Sequence, residues 1–426
     1  MRLINTKTLF VESFDDSQVP KCPYAILSHM WGSEEVLFHE VQERQEPQAD
    51  ITRKAGWIKM ANFCATAQAH GFDYAWIDTC CIDKRYSAEL SEAITSMYQY
   101  YYNAAVCFIY LEDVQTYTEG NGNTPAVTPK TRDEIIASAC ASRWHTRGWT
   151  LQEFVTPCRR HFFAADWTEI EDGSDLLDAL AKSTGIGRRL LENRDSLSTF
   201  CVGDRMKWAS KRQTTRPEDL VYSLMGLFNV SIPVLYGEGI RNAFKRLQYE
   251  IMQSSFDMTI FAWRGDYDGS GLLARTPADF AETPPVGLWA PWSLAPFQLT
   301  NVGLFIRVNL TDEQQLLDKD KNQDQKFEKK PGSSTLLAAL QCDVQTPMGQ
   351  WKIPMIYLEP VLGARFFVNG KNCKAYRRIR CAQWVTLPSK QLAGCPYEDV
   401  LILQDEQYEL VRRSMGQHNS RRENRI

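Results

Sequence analysis

The segment from Arg143 to Glu153 combines side chains that a core helix has no need to bring together. It reads Arg-Trp-His-Thr-Arg-Gly-Trp-Thr-Leu-Gln-Glu, and so carries two tryptophans, two arginines, a glycine and a carboxylate. Arginine binds phosphate groups through paired hydrogen bonds, and a fixed carboxylate stabilises a positive charge that develops nearby. The segment therefore indicates a site that binds a phosphate-bearing ligand beside an acid.

The elements that must position this segment alternate between strand and helix. Apolar runs rich in β-branched and aromatic residues predict strands at Tyr24–Ser28, Tyr74–Ile82, Ala105–Leu111 and Arg160–Ala164. Strands separated by helical patterns favour a parallel sheet with helices on both faces. We therefore predict an α/β fold for the first part of the chain.

Helical spacing fills the gaps between these strands. One helix is predicted from Ala55 to His70, with Gly71 at its C-terminal cap. A second is predicted after Ser87 as N-cap, and a third from Glu134 to Ala141. The spacing places on the first helix Ile58, Ala61, Ala65 and Gln68, and on the second Leu90, Ile94, Met97, Tyr98 and Tyr101.

Polar and aromatic residues follow each predicted strand of the sheet. In open parallel sheets, ligands bind in the loops at the carboxyl ends of the strands. Three such loops would therefore converge on one edge. The residues placed there are Ser28, His29, Trp31 and Gly32, then Asp78, Cys81, Asp83 and Lys84, then Glu112 and Asp113, with Arg147, Trp149 and Glu153 further along the chain.

The rest of the chain changes character twice. Residues from about Leu176 to Phe261 keep helical spacing. Beyond Trp263, short apolar runs between turns predict a β-rich module, with runs at Gly303–Val308, Leu336–Gln341, Trp351–Leu358 and Ala364–Val368. We predict three domains, at 1–172 (α/β), 173–262 (a helical segment packed on it) and 263–426 (β-rich), the last with a charged loop at 312–330 and a basic tail from Arg412 to Arg425.

Composition excludes several classes of protein. The chain has 426 residues and a formal net charge of -4, so it lacks the basic excess of a nucleic-acid-binding surface. We find no apolar run long enough to span a membrane and no signal peptide, which predicts a cytoplasmic protein. Its 12 cysteines lie in apolar runs without C-x-x-C spacing, so we expect reduced thiols and no metal site.

Three blocks of the sequence resemble the signature blocks of the fungal heterokaryon incompatibility (HET) domain. They are Tyr24-Ala-Ile-Leu-Ser-His-Met-Trp-Gly32, then Trp76-Ile-Asp-Thr-Cys-Cys-Ile-Asp-Lys84 with Ser87–Ile94, and then the segment from Arg143 to Glu153. Residues 212–228 and 235–239 also resemble the helical region that follows this domain. The resemblance implies non-self recognition and regulated cell death in a filamentous fungus, homo-oligomerisation on activation, and an NLR-type or other incompatibility partner.

HET domains are in turn similar to the TIR fold, whose enzymatic members cleave NAD. Those members carry a carboxylate in a pattern similar to Trp-Cys-x-x-Glu, which Trp149-Thr-Leu-Gln-Glu153 matches with Thr150 in place of Cys. The resemblance implies that Glu153 is the catalytic acid of a TIR-like site. The chain departs from the TIR pattern in spacing, because about forty residues separate Leu111 from Glu153.

NAD cleavage develops oxocarbenium character at the ribose, which a carboxylate such as Glu153 stabilises. NAD would then be a substrate, and we expect no cofactor. Arg147 would pair with the diphosphate, and Trp31 or Trp149 would stack on a flat ring. The predicted substrate-binding residues are Ser28, Trp31, Gly32, Asp78, Cys81, Asp83, Arg147 and Trp149.

Each of these residues also has a structural interpretation. Glu153 can be a surface acid or an ion-pair partner of Arg147 or Arg143. The tryptophans can be core or interface anchors, Asp78 can cap a turn, and Asp83 can cap the next helix. At the level of the whole protein, the alternative to an NAD hydrolase is a non-catalytic death-signalling adaptor that works through domain self-association.

Overall fold

The structure is a computed structural model, which describes residues 1–15, 23–42, 50–118, 128–171, 173–267, 269, 271–288, 296–312, 335–368, 370–392 and 395–413. The chain forms two compact units. Unit 1 comprises Met1–Thr199 and Lys211–Ala243, and unit 2 comprises Phe200–Ser210 and Phe244–Ile426. The predicted charged loop after Asp312 and the predicted basic tail beyond Arg413 lie outside the described residues.

The helices of the described residues concentrate in the first 254 positions. The α-helices are α1 (Phe38–Gln42), α2 (Ala55–Ala69), α3 (Asp78–Cys81), α4 (Ser87–Asn103), α5 (Arg132–Ala141), α6 (Thr150–Val155), α7 (Ser174–Thr184), α8 (Arg188–Glu192), α9 (Val202–Ala209), α10 (Asp219–Tyr222), α11 (Met225–Phe228) and α12 (Ile240–Ser254). Residues 405–413 are also helical. The 3-10 helices are Arg143–Thr146, Arg194–Thr199, Met258–Phe261, Pro277–Phe280 and Ser389–Leu392.

The strands fall into two groups along the chain. The first group is β1 (Arg2–Asn5), β2 (Val11–Ser13), β3 (Tyr24–Ser28), β4 (Tyr74–Trp76), β5 (Val106–Tyr110), β6 (Tyr117–Thr118), β7 (Thr128–Pro129), β8 (Arg160–Phe163) and β9 (Glu169–Ile170). The second is β10 (Val286–Leu288), β11 (Gln298–Thr300), β12 (Gly303–Asp312), β13 (Leu336–Ala339), β14 (Cys342–Gln345), β15 (Trp351–Val368), β16 (Lys371–Ile379), β17 (Val385–Leu387) and β18 (Tyr397–Ile402).

Unit 1 is built on a mostly parallel sheet flanked by helices, as the sequence predicts. Its strand order is β2-β1-β4-β3-β5-β8-β9, and the four strands from β4 to β8 in that order are parallel. All five residues of β3 are buried, because a strand covered on both faces exposes neither row of side chains. The carboxyl ends of β3, β4 and β5 therefore meet at one edge of the sheet.

Three strands of this sheet were absent from the sequence prediction, β1 and β2 at one edge and β9 at the other. β1 pairs antiparallel with β4 and β2 pairs antiparallel with β1. β1 contributes only the apolar pair Leu3 and Ile4 to the core. A pair of apolar residues is too short to show the two-residue period by which a strand is recognised.

The second predicted strand was too long. β4 ends at Trp76, and α3 begins at Asp78 within the apolar run that was interpreted as continuous strand. The Cys81 N–H donates to the Ile77 carbonyl at 2.8 Å, which closes a helical turn. A short apolar run fits a buried strand and a buried helix equally well, so periodicity did not distinguish them.

The first predicted helix is confirmed as α2, and its buried side is not formed by the residues whose spacing identified it. Ile58 is 52% exposed, whereas the buried side comprises Gly56, Met60, Phe63, Cys64 and Ala67. The larger apolar side chains lie on that second face, and they determine which side packs. Gly71 adopts the positive φ of 84° that a helix-ending glycine permits. In α4, Ile94, Met97 and Tyr101 are buried as predicted, although Ser87 is its first residue rather than its cap.

The predicted helical segment is confirmed as a run of helices from α7 to α12. Its residues divide between the two units, because Phe200–Ser210 and the part of α12 from Phe244 belong to unit 2. In unit 1, Gly226 of α11 lies where an added Cβ would be 2.2 Å from the Tyr98 ring of α4. A glycine at this position lets the two helices approach closely.

Unit 2 contains a nine-stranded sheet in the order β10-β14-β15-β13-β12-β18-β16, with β11 on β12 and β17 on β15. This confirms the predicted β-rich region. The runs predicted as separate strands at Trp351–Leu358 and Ala364–Val368 form one strand, β15, whose pairing with β16 is irregular between Pro360 and Arg365. An irregularity of pairing lets one strand bend without ending.

Among the described residues, the eleven cysteines are free thiols, and all but Cys140 and Cys158 are buried. The prediction of buried thiols therefore holds for most of them. No helix in the described ranges has both the length and the apolar character needed to span a membrane. These residues also contain no group of three His, Cys, Asp or Glu side chains arranged to hold a metal ion.

Candidate functional site

A cavity of about 320 Å³ opens in unit 1 beside the ends of β3 and β4. Its volume is at the lower end of the roughly 300–1,000 Å³ that small-molecule sites occupy. One side is apolar and comes from Ile82, which follows α3, and from Leu90, Ile94 and Met97 of α4. The remaining sides are aromatic, cationic and acidic, which is the mixture that the segment Arg143–Glu153 predicts.

Glu153, in α6, contributes the acid at the cavity and is only 8% exposed. Its Oε2 accepts a hydrogen bond from the Ser28 hydroxyl at 2.5 Å. Burial raises its pKa to about 8, and the hydrogen bonds with Ser28 and Tyr101 together with the charge of Arg147 only partly oppose this effect. In the ligand-free protein, Glu153 is therefore mostly protonated at neutral pH.

The Ser28 hydroxyl has a second hydrogen-bond partner in Trp144. The Trp144 indole N–H lies 2.9 Å from Ser28 Oγ, and an indole nitrogen can only donate. Ser28 Oγ accepts from Trp144, and its hydroxyl donates to Glu153. Ser28 and Trp144 are completely or almost completely buried, so packing fixes the Glu153 carboxyl group from behind.

Asp78, at the start of α3, is a second acid in the cavity lining. Its Oδ1 lies 3.2 Å from His29 Nε2, and its Oδ2 accepts from the Trp31 indole N–H at 2.9 Å. Lys84 Nζ is 3.4 Å from the same Oδ2. Burial opposes ionisation of Asp78, but the charge of Lys84 and the hydrogen bond with His29 outweigh it and hold its pKa well below the ordinary range.

Gly148 explains how the segment Arg143–Glu153 reaches the cavity. Its N–H donates to the Gln213 carbonyl at 2.9 Å, and the Gln213 N–H donates to the Thr146 carbonyl at 2.7 Å. An added Cβ at Gly148 would lie 2.5 Å from the Thr214 side chain. Glycine therefore allows the chain near Gln213 to pair directly with this segment, and that pairing orients the neighbouring Arg147 and Trp149.

Four residues from a later part of unit 1 complete the cavity, and we call them the roof: Thr215, Arg216, Asp219 and Tyr236. Tyr236 donates to Asp219 Oδ1 at 2.9 Å, and the Arg216 guanidinium lies 4.1 Å from the centre of the Tyr236 ring. Burial raises the pKa of Asp219, while hydrogen bonds from Tyr236 and Trp149 oppose this shift.

The roof was missed as part of the site by sequence reasoning. Thr214-Thr-Arg-Pro-Glu-Asp219 has the pattern of a helix start, because a cap, an early proline and acids are typical of one. Arg147 Nη1 donates to Thr215 Oγ1 at 3.4 Å, so this helix start also faces the site. The available signal was the second aromatic and acidic cluster at Leu235-Tyr-Gly-Glu-Gly239, which the HET resemblance already included.

Thr150 has a structural role at the position where the TIR pattern carries Cys. Its hydroxyl lies 2.7 Å from the Trp144 carbonyl and 2.9 Å from the Arg147 carbonyl, and it accepts from Arg212 Nη1 at 2.9 Å. Arg212 is buried, and desolvation lowers its pKa to about 9, against the opposing effect of Glu153. The hydroxyl thus ties the loop before α6 to a buried cation near the acid.

The predicted site residues divide into two sets. The first set lines the cavity and comprises Trp31, Asp78, Arg147, Trp149 and Glu153. The neighbouring His29 and Lys84 line it as well.

Ser28, Gly32, Cys81 and Asp83 do not line the cavity. Ser28 lies behind Glu153. The Gly32 N–H donates to Glu35 Oε1, and Cys81 Sγ is buried against the Ile77 N–H at 3.5 Å because α3 turns it into the core. Asp83 accepts from the backbone and guanidinium of Arg85.

Comparisons with known proteins agree with the resemblance in its first part. Residues 24–153 match the family model described as heterokaryon incompatibility protein (HET), which confirms the predicted domain for that region. Residues 242–290 match a domain of unknown function (DUF8212).

The chain is also similar to the vegetative incompatibility protein HET-E-1 of Podospora anserina. The two are 41% identical over 230 residues, which is 54% of this chain but 16% of that relative. The chain thus spans a small part of the length of that relative. No solved structure matches the chain.

Proposed function

We propose that this chain acts in fungal heterokaryon incompatibility and regulated cell death, and that the cavity of unit 1 hydrolyses NAD as a TIR-like site does. The observation that carries the catalytic proposal is a carboxyl group, Glu153, held by Ser28 at a cavity that also presents two tryptophans and two arginines. The HET match at residues 24–153 and the similarity to HET-E-1 support the cellular role.

The reaction requires little from the protein besides positioning and charge. The bond between the ribose C1′ and the pyridinium nitrogen breaks, and its electron pair goes to the nitrogen, so nicotinamide leaves as a neutral molecule. The ribose becomes an oxocarbenium ion, which ionised Glu153 stabilises. Water then adds to C1′ and loses a proton to the carboxylate or to solvent.

The lining residues match the parts of a dinucleotide. Arg147 and Arg216 line the cavity on the side of the roof, where their guanidinium groups would pair with the diphosphate. Trp31 and Trp149 offer flat apolar faces for the rings. The Trp149 indole lies close enough to Asp219 of the roof to favour the ionised form of that carboxyl group.

Because Glu153 is mostly protonated in the ligand-free protein, the reaction needs a substrate that favours its ionised form. A neutral carboxyl group cannot stabilise a developing cation through charge. NAD carries a positive pyridinium ring, and an adjacent positive charge favours the ionised carboxylate. Binding of the cationic substrate would therefore help to generate the charged form that the reaction uses.

The proposal extends to assembly and location. The chain would act in the cytoplasm, where NAD is present, and would form a homo-oligomer when an NLR-type or other incompatibility partner activates it. Depletion of NAD or a product of its cleavage would then cause cell death.

The test is release of nicotinamide from NAD by purified protein, alone and with an oligomerising domain fused to force assembly. We expect the Glu153→Gln variant to lose activity by roughly 10²–10⁴-fold, because the amide keeps the shape but cannot ionise. Glu92→Gln is the matched control, since Glu92 is exposed on α4. This control should retain full activity.

Absence of nicotinamide release by the assembled wild type, or equal release by Glu153→Gln, would overturn the catalytic proposal. In that case, a Glu153→Gln variant that still kills fungal cells would identify the non-catalytic adaptor as the correct function.

A further inference from the structure

Lys84 lies over the ring of Trp31 at the cavity wall. Its Nζ is 3.4 Å from the centre of that ring and 3.4 Å from Asp78 Oδ2. The ammonium group therefore has an aromatic face on one side and a carboxylate on the other. This combination is one that proteins use to bind cations.

The Trp31–Asp78 pair is built independently of Lys84. The Trp31 indole N–H donates to Asp78 Oδ2, and His29 holds Asp78 Oδ1. His29 is buried and its second ring nitrogen contacts the Met30 carbonyl at 3.1 Å. Trp31 and Asp78 would therefore keep their relative positions without the lysine.

Lys84 occupies the place that a ligand ring would need. Trp31 is 45% exposed and lines the cavity, and the lysine covers its ring. A ring that stacks on this face must displace the ammonium group. A neutral ring cannot replace the positive charge that Lys84 places beside Asp78, whereas a cationic ring can.

We infer that Lys84 is a built-in competitor for the Trp31–Asp78 subsite, and that this subsite takes an aromatic cation of the pyridinium type. The lysine gives Asp78 the positive charge that a cationic ring would bring. Replacing it with a neutral side chain of similar length therefore favours a charged ring and leaves the affinity for a neutral ring nearly unchanged. The choice of a pyridinium rests on the proposed function, while the competition by Lys84 does not.

The experiment measures direct binding of two small probes with the same ring. One is 1-methylnicotinamide, which is a cation, and the other is nicotinamide, which is neutral. Both are titrated calorimetrically into the full chain, as wild type, Lys84→Met and Lys84→Arg. Methionine has a similar length but no charge, and arginine keeps both the charge and the ability to stack on the ring.

We expect Lys84→Met to bind 1-methylnicotinamide about tenfold more tightly than wild type, as one cation–π contact with a nearby carboxylate allows. The affinity for nicotinamide should change by less than about twofold. Lys84→Arg should resemble wild type. Trp31→Leu in the Lys84→Met background should remove the gain, because the ring face is then absent.

The inference would be overturned if Lys84→Met raised the affinity for both probes equally, or if it did not raise the affinity for 1-methylnicotinamide. Lys84→Gln serves as a second neutral variant, and the melting temperature of each variant is compared with that of wild type, so a folding defect is separated from a binding effect. If the probes behave as expected but wild type releases no nicotinamide from NAD, only the proposed hydrolysis fails.

Discussion

Glu153 of unit 1 and Arg378 of unit 2 are both buried ionisable side chains, but their surroundings satisfy them to different degrees. The Arg378 guanidinium donates to the Phe261 carbonyl at 3.1 Å and the Trp263 carbonyl at 2.6 Å, and it lies 3.8 Å from the centre of the Trp263 ring. Burial lowers its pKa only to about 10, so it stays charged at neutral pH. Glu153 has a raised pKa of about 8 and takes up a proton instead.

This difference in their surroundings distinguishes Arg378, whose charge supports the fold, from Glu153, which can react. Arg378 is surrounded by acceptors that suit its donors, and these contacts fix the backbone around Phe261. Glu153 faces a cavity, and an incoming ligand can still change its environment. A buried acid with incomplete stabilisation at a cavity is the arrangement from which a functional site is inferred.

Replacement of Glu153 should show the largest effect on stability. Its pKa in the folded protein is raised, so its contribution to stability is fully present below the ordinary value of 4.5 and is lost as the pH rises through about 8. Glu153→Gln should therefore raise the free energy of unfolding at pH 9 by about 3–5 kcal/mol relative to wild type, with little difference at pH 4.5. Denaturant unfolding at both pH values measures this.

Glu92→Gln is again the control, because Glu92 is exposed and its loss should leave stability unchanged at both pH values. A variant at Glu153 that is less stable than wild type at pH 9 would show that the carboxylate is stabilised in the folded protein. The comparison with Arg378 would then no longer hold.

Replacement of Arg378 should lower the free energy of unfolding, whereas replacement of Glu153 should raise it at pH 9. Arg378→Met fills similar space but leaves the Phe261 carbonyl without its side-chain donor and removes a ring contact. We expect a loss of about 2–4 kcal/mol in the free energy of unfolding, measured by denaturant unfolding at pH 7. Arg412→Met, at an arginine that is 66% exposed, should change stability by less than about 0.5 kcal/mol. A neutral effect at Arg378 would contradict a structural role.

The pH dependence of catalysis tests the protonation of Glu153 directly. The ratio kcat/KM reports the pKa of the free protein. If activity requires ionised Glu153, kcat/KM for NAD should fall about fifty-fold between pH 8 and pH 6, since a group of pKa about 8 is rarely ionised at the lower pH. A flat profile over this range, in a protein that hydrolyses NAD, would show that Glu153 is ionised before substrate binds.

The contrast between the two units also shows what sequence patterns can predict. The parallel strands β3 and β5 were found because their apolar runs are uninterrupted, whereas in β8 only Phe162 and Phe163 are apolar. The ends of β3 and β4 located Trp31 and Asp78, and the unusual composition of Arg143–Glu153 located the acid. These features are local, so a single segment displays them.

The parts that were missed depend on contacts between distant segments. The roof reaches the cavity because Gln213 pairs with Gly148, and Cys81 leaves the site because α3 turns at Ile77. Arg378 lies in a strand where its charge suggests exposure, yet carbonyls of residues more than a hundred positions earlier surround it. No pattern within one segment shows its partners.

Ser28 allows the smallest and most specific change to the acid. It donates to Glu153 Oε2 and accepts from Trp144, and its hydrogen bond lowers the pKa of Glu153. Ser28→Ala removes that bond, so the pKa of Glu153 should rise further and the acid limb of kcat/KM should move to higher pH by about half to one unit. Ser28→Cys has a weaker donor, so its acid limb should lie at a pH between those of wild type and Ser28→Ala.

The shape of the profile distinguishes this positioning role from damage to the fold. If Ser28 acts through the ionisation of Glu153, Ser28→Ala should approach wild-type kcat/KM at a pH well above the limb, because the carboxylate is then ionised without help. If Ser28 only supports packing, activity should fall by the same factor at every pH. A uniform loss would therefore remove Ser28 from the account of how Glu153 is controlled, and would leave burial as the main cause of its raised pKa.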